Sequence, residues 1–432
     1  MQNKNEIIVG LDIGTTKICA IVGQLNENGK LNVLGMGKVP SLGGVSRGVV
    51  ANISKTTEAI EKAVALATQN SKINIRTVHV GIAGHHIKSL QHTGTLIRTD
   101  GDLEISQAEL DQLQADMYRL AVDPGSTIIH VLPQEYMVDN ERGISDPVGR
   151  TGIKLEGVYH IVTGQIVAAK NIKRCVEKAG LEVADLIVEP IASSCAVLED
   201  EEMQAGVCLL DIGGGTSDIA IFQGGKIRHT AVIPFGGDVI TQDIMEAFSL
   251  LEKQAEKLKT KFGCALPESC KENEVVVIPG VGNRKPKEIF VKNLAKVIHA
   301  RMEEMFALVD DEIYASGYKD RLHCGIMLTG GGAQLKNVSQ LLEFNTGLEV
   351  NIGLPHQHLA KGMVEEVKSP MYATGIGLVL KGIENGSSAF ENNKPEVKKK
   401  DKEKSKPFTS MLPGMGTIKD WFKDDDLTDY QG

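Results

Sequence analysis

The chain has 432 residues, 42% of them hydrophobic, and a formal net charge of -9. That is enough material for at least two packed cores, since single cores stop growing at roughly 250 to 300 residues. The acidic balance argues against nucleic acid as the main partner, because phosphate backbones are met by basic faces.

Seven cysteines (Cys19, Cys175, Cys195, Cys208, Cys264, Cys270, Cys324) are scattered singly. With no CxxC pair, this pattern fits reduced thiols better than a disulfide framework or a zinc site. The start, "MQNKNEIIVGLDIG", passes into a strand-like run without a charged n-region and apolar h-region. No apolar stretch approaches the roughly 18 residues that span a bilayer, so a soluble chain is expected unless something short anchors it.

In chain order, β-branched runs predict strands at Ile7 to Leu11 and Ile18 to Val22, followed by a helix at Lys55 to Thr68 and a strand at Thr77 to Ile82. A helix is predicted at Ala169 to Ala179, then strands at Val207 to Leu210 and Ile219 to Phe222. Helices follow at Asp238 to Phe248, Glu252 to Lys261 and Val291 to Val309, with a strand at Gly325 to Leu328. The alternation is that of α/β domains. From about residue 384, "NGSSAFENNKPEVKKKDKEKSKP" has almost no large apolar residue and reads as a flexible linker. Beyond it, "FTSMLPGMGTIKDWFKDDDLTDYQG" holds the single tryptophan.

"IIVGLDIGTTKICAIVG" and "VCLLDIGGGTSDIAIFQG" share an apolar run, Asp-Ile-Gly, a small polar turn and a second apolar run, with Asp12 and Asp211 in matching places. Agreement over a whole strand-turn-strand unit predicts two related domains facing each other across a cleft. A P-loop or dinucleotide fingerprint puts its glycines between strand and helix. Here β-branched runs follow each turn, so the turns are hairpin tips.

Glycine tips let successive N–H groups converge into an anion-binding nest, made here by Gly14, Thr15, Thr16 and Lys17 on one side and Gly213, Gly214, Gly215 and Thr216 on the other. Carboxylates beside a phosphate call for a hard divalent cation, so Asp12 and Asp211 read as magnesium-side groups acting through water. The alternative is a pair of ordinary tight hairpins.

In "IMLTGGGAQLKNVSQLL" a strand leads into Gly330, Gly331 and Gly332, with a helix expected from near Gln334, so backbone can approach a flat base or a phosphate. Glu256 and Lys259, three apart on one helical face, could bracket a ribose and base or simply pair with each other. His85-His86 and His356 with His358 lack a third ligand at a recognisable spacing. Cys175 fits a core position, and Lys398 to Lys400 fits a solvated linker.

Together these motifs resemble the superfamily of actin, heat-shock chaperone and sugar kinase ATPases. "LDIGTTK" is similar to its first phosphate loop, "LLDIGGGTSD" to its second and "LTGGGAQL" to its adenosine loop. "VEPIASSCAVL" is similar to its connecting helix, with Glu189 in the place that orients the attacking water. "PFGGDVIT", with Gly236 and Gly237, and "QAEKLKTKFG" resemble the helices that close over the nucleotide.

Within the superfamily, "VHVGIAGHHIKSL", "VLPQEYMVD", "VYHIVTGQ" and "VEPIASS" resemble the FtsA family of bacterial cell-division proteins, from about Glu6 to Leu380. The resemblance implies an α/β, actin-like fold of two related domains around a nucleotide cleft, with a family-specific insert subdomain. Its parts would be 1–83 (subdomain 1A), 84–163 (insert 1C), 164–237 (2A), 238–310 (2B), 311–383 (return to 2A and 1A), 384–410 (linker) and 411–432 (amphipathic membrane segment).

The resemblance also implies an adaptor that binds ATP with Mg²⁺, has weak or no ATPase activity (Glu189, Asp12, Asp211) and polymerises. Such an adaptor binds the C-terminal peptide of FtsZ through 2B and recruits later division proteins through the insert. It sits at the division site on the inner face of the cytoplasmic membrane, with no nucleic acid involved. Arg301, on the helix "VKNLAKVIHARMEEMFALV", is the candidate contact for the acidic peptide, a structural arginine being the other reading.

The terminal segment is implied to be a membrane helix, a docking peptide for a protein partner or a disordered end being the other reading. Met411, Met415, Ile418 and Phe422 recur at helical spacing with Trp421 beside them and Lys419 and Lys423 flanking. Pro413, Gly414 and Gly416 confine it to about Gly416 onward, and Asp424 to Asp426 and Asp429 oppose anionic lipid. The rival reading is a sugar or small-metabolite kinase, whose aspartate deprotonates an acceptor hydroxyl. A third, a chaperone ATPase, needs a substrate domain where the chain has only linker and tail.

Overall fold

The computed structural model describes residues 6–280, 282, 285–360 and 365–386. All of these lie in one unit, Met1–Glu391.

The chain opens with β1 (Ile7–Ile13), β2 (Lys17–Leu25) and β3 (Leu31–Pro40), then the two-residue strands β4 (Val45–Ser46) and β5 (Val49–Val50), helix α1 (Ile53–Ser71) and β6 (Thr77–Ile82). Asn52 caps α1 by accepting from the Lys55 N–H. The inserted segment holds β7 (Lys88–Ile97), α2 (Gln107–Met117), β8 (Ser126–Val138), β9 (Glu141–Ile144) and β10 (Lys154–Gln165). Next come α3 (Ile166–Lys178), β11 (Glu182–Val188), α4 (Glu189–Val197) and α5 (Asp200–Ala205).

The second half contains β12 (Val207–Ile212), β13 (Ser217–Gln223), β14 (Lys226–Ile233), α6 (Gly237–Phe248), α7 (Glu252–Phe262), β15 (Val275–Ile278) and β16 (Lys287–Phe290). It ends with α8 (Val291–Ala315), β17 (Ile326–Thr329), α9 (Val338–Thr346), β18 (Val350–Ile352) and α10 (Ala373–Asn385).

The repeat seen in the sequence is a repeat of topology. One sheet runs β3-β2-β1-β6-β11 and the other β14-β13-β12-β17-β18. In each, the central strand pairs antiparallel with the hairpin partner that follows it and parallel with the strand on its other side. β12 is buried along its whole length and β1 along all but its first residue, which explains why these strands read as unbroken apolar runs rather than alternating ones.

Helices α4 and α10 pack against each other so tightly that a Cβ on Gly377 would lie 1.7 Å from the Ala192 carbonyl oxygen. The insert is a separate four-stranded sheet, β7-β10-β8-β9. Its own core holds Leu110, Leu113, Leu155 and Tyr159. It docks on β14: Ser89 donates to the Thr230 carbonyl at 3.0 Å, and His160 Nε2 lies 3.1 Å from the Thr230 hydroxyl.

Each strand expected from the sequence is present with ends moved by a few residues, and α8 runs one and a half turns past Val309. The expected helix near Gln334 is different. A short 3-10 turn occupies Gly331–Gln334 and the α-helix starts only at Val338. Gly330 has φ of 84°, which turns the chain away before a regular helix can form.

No described helix is long and apolar enough to cross a membrane. Helix α10 runs to Asn385, into the start of the expected linker, and residues 387–432, with the rest of that linker and the terminal segment including Ile418, Trp421 and Phe422, lie outside the described residues.

Candidate functional site

The two hairpin turns are closed by the same bond: Gly14 N–H donates to the Lys17 carbonyl at 2.9 Å, and Gly213 N–H to the Thr216 carbonyl at 2.9 Å. They face each other. A Cβ on Gly214 would lie 2.0 Å from the Thr16 hydroxyl oxygen, and one on Gly215 would lie 2.5 Å from that of Thr15. Glycine is required at these tips because the opposing turn occupies the space. The start of α6 is pinned to the second turn, Gly237 N–H on the Gly213 carbonyl (2.9 Å) and Asp238 N–H on that of Gly214 (2.8 Å). Gly236, in extended backbone, precedes it.

Asp12, Asp211, Asp218 and Glu189 gather around the turns, with the Lys17 ammonium against Asp12. Asp12 is 4% exposed, and the Lys17 ammonium is 2.5 Å from its Oδ2. Burial works against the Lys17 charge, but the attraction of Asp12, with smaller help from Cys19 and Asp211, holds its pKa above the ordinary lysine value. Asp211 accepts from Ser193 at 2.7 Å and from Thr374 at 3.2 Å. Burial raises its pKa against those two donors.

Asp218 stands directly across the hairpin from Asp211. One of its oxygens accepts from Thr216 at 3.0 Å and the other, Oδ1, is buried with no partner. Burial first, and the Asp211 charge second, push Asp218 up to about 8. Glu189, half-buried at the head of α4, packs on Gly81 of β6. Its pKa is raised well above the ordinary value by burial and then by Asp12, Asp218 and Asp211.

Such a cluster is short of positive charge, and the unpartnered oxygen of Asp218 marks the deficit. A divalent cation entering with an anionic ligand would fit it. Among the described residues no group of three or more His, Cys, Asp and Glu side chains is arranged to hold a metal directly. A cation here would therefore keep water in its shell.

Gly330, just past the neighbouring strand β17, approaches Asp211 closely: a Cβ there would lie 2.3 Å from Asp211 Oδ1. Gly332 lies on Ile212, and Gly331 opens onto empty space. Lys259 donates to the Gly237 carbonyl and the Thr241 hydroxyl, each at 2.7 Å, and pairs with Glu256 at 2.7 Å. The α7 pair is thus both an intrahelical ion pair and a strap over the first turn of α6.

Arg301 makes its contacts elsewhere. Its Nε and Nη2 grip Asp243 at 2.6 and 2.9 Å, and Nη1 meets Glu304 at 2.5 Å, so it ties α8 to α6.

Sequence reasoning overlooked Asp218, Asp238, Ser193 and Thr374. Asp218 left a signal, a charged residue inside a buried strand. Asp238 sits in the first turn of α6, close enough for the Thr16 hydroxyl to donate to it, and burial raises its pKa. Ser193 and Thr374 left none, since their partner is distant in the chain.

A family model described as "Cell division protein FtsA" matches residues 208–377, and one described as "SHS2 domain inserted in FTSA" matches residues 84–163. The cell division protein FtsA of Pseudomonas aeruginosa is 41% identical over 386 residues, 89% of this chain and 91% of that protein. FtsA of Escherichia coli K12 is 35% identical over 402 residues, 91% of this chain and 94% of that protein.

Among solved structures, a chain of the PilM-PilN type IV pilus biogenesis complex superposes with a TM-score of 0.63 at 17% identity, covering 89% of this chain and 99% of that one. MreB5 of Spiroplasma citri bound to ADP gives a TM-score of 0.53 at 14% identity, covering 89% and 98%. The fold is that of the actin-like ATPases, with an SHS2 domain inserted.

Proposed function

The chain belongs to the FtsA family of cell-division proteins, and from that premise we propose that it is an ATP-binding, polymerising actin-like adaptor. It captures the C-terminal peptide of FtsZ through residues 238–310, holds the FtsZ ring at the inner face of the cytoplasmic membrane through residues 411–432, and recruits later division proteins through the insert. The observation that carries the nucleotide part is the pair of facing glycine hairpins closed by identical bonds.

In this reading the backbone N–H groups of the two tips hold the phosphates. Asp12 and Asp211 hold the water shell of Mg²⁺, which neutralises phosphate charge when bound. Gly330, Gly331 and Gly332 give the adenosine close backbone approach, while Glu256 and Lys259 flank ribose and base. Glu189 orients an attacking water and accepts its proton whenever hydrolysis occurs. ATP acts chiefly as a ligand that sets the relation of the two sheets, and hydrolysis is slow. Many weak tails on one filament then act together at the membrane.

The test is co-sedimentation with anionic liposomes in ATP and magnesium, comparing the full chain with one ending at Ser410, with and without FtsZ. The expected result is that only the full chain pellets and carries FtsZ down. If both chains stay in the supernatant while binding ATP, the tail is not a lipid anchor.

A further inference from the structure

The turn between β4 and β5 lies across the tips of both hairpins. Gly48 N–H donates to the Thr15 hydroxyl at 3.0 Å, which ties the turn to the first hairpin. Arg47 lies on the second: a Cβ built on Gly215 would be 2.8 Å from the Arg47 Cα and 3.0 Å from its nitrogen. Gly48 also packs on Ala83 and Gly84, just past the end of β6. Arg47 and Gly48 form the two-residue turn that joins β4 to β5, and both take a left-handed φ, 48° and 74°, as a type I′ hairpin turn requires.

The arginine side chain is exposed. Among the described residues no carboxylate pairs with its guanidinium. A cation without a carboxylate partner, carried on a turn that touches the tips of both hairpins, is placed to meet an anion that arrives between them.

We propose that Arg47 contacts the terminal phosphate of a nucleoside triphosphate bound between the two hairpins, and so makes the chain distinguish triphosphate from diphosphate. This deepens the nucleotide reading and rests on it. A guanidinium offers paired donors in a plane that matches phosphate oxygens. Its position on the turn joins the charge to the backbone that bridges both sheets, so that loss of the terminal phosphate is felt by both.

The experiment measures affinity of the full chain for ADP and for a non-hydrolysable ATP analogue, with magnesium, by calorimetry. Arg47→Gly and Arg47→Asn are the variants, because both residues accept a left-handed φ and neither endangers folding. Each is expected to lower affinity for the triphosphate roughly tenfold or more while leaving ADP affinity unchanged, as loss of a charge-assisted hydrogen bond to one phosphate requires. Arg47→Lys is expected to recover part of the loss. Equal effects on both nucleotides, or no effect on either, overturn the role of Arg47 while leaving the nucleotide site standing. Failure of the unaltered chain to bind either nucleotide removes the site and the inference together.

Discussion

Gly377→Ala sets two effects of opposite sign against each other in a buried helix. Replacing a glycine inside α10 by alanine favours the helix by about 1 kcal/mol through its intrinsic propensity. At this position, however, the new Cβ would stand 1.7 Å from the Ala192 carbonyl oxygen and 2.3 Å from its carbonyl carbon. The obstacle is backbone, which cannot rotate aside, so α4 and α10 must separate by more than ~1 Å in an interior packed like an organic crystal. Overpacking of that kind costs about 1–3 kcal/mol, and a backbone clash belongs at the upper end. The net expectation is destabilisation of about 1–2 kcal/mol after the propensity gain.

The displacement also reaches the site. Ser193, next to Ala192, is fully buried and donates to Asp211 at 2.7 Å, so moving α4 loosens the carboxylate proposed to hold the magnesium shell. Urea denaturation of the variant, together with ATP and ADP binding in magnesium, measures both effects, and both stability and affinity are expected to fall. If the variant is more stable by the propensity increment and binds unchanged, the close approach of α4 and α10 is refuted.

Asp218 gives a pH prediction. A carboxyl pushed up to about 8 in the folded chain binds its proton there and releases it on unfolding. Its contribution to stability is therefore fully present below the ordinary carboxylate value and is lost as pH rises toward about 8. Chemical denaturation between pH 5 and 8.5 is expected to show this decline in the unaltered chain and a flatter profile in Asp218→Asn. Equal slopes would contradict the assignment. For Arg301, the bidentate grip on Asp243 is partly exposed, so Arg301→Ala is expected to cost about 1 kcal/mol or less. Comparing FtsZ-peptide binding of Arg301→Ala with that of Asp243→Asn separates a direct contact from a packing role. A loss confined to Arg301→Ala supports contact, and equal losses in both argue for packing.

The sequence by itself determined what depends on neighbours in the chain. The twin Asp-Ile-Gly turns, the apolar runs that became β1, β2, β12 and β13, and the helical periodicity of α1, α6, α7 and α8 are all written in spacing, because strand and helix repeat every two or 3.6 residues. The same spacing placed Gly14 to Lys17 and Gly213 to Thr216 at hairpin tips. It misjudged the segment after Thr329, where the left-handed Gly330 and the close packing on Asp211 and Ile212 admit only a 3-10 turn.

Only the tertiary structure decided which groups share the cleft. Ser193 and Thr374 meet on Asp211 from helices 181 residues apart in the chain. Asp218 is pushed toward its neutral form, and the Arg47-Gly48 turn touches hairpins from separate sheets. Desolvation and the mutual repulsion of buried carboxyls exist only once packing has removed water and brought distant residues within reach.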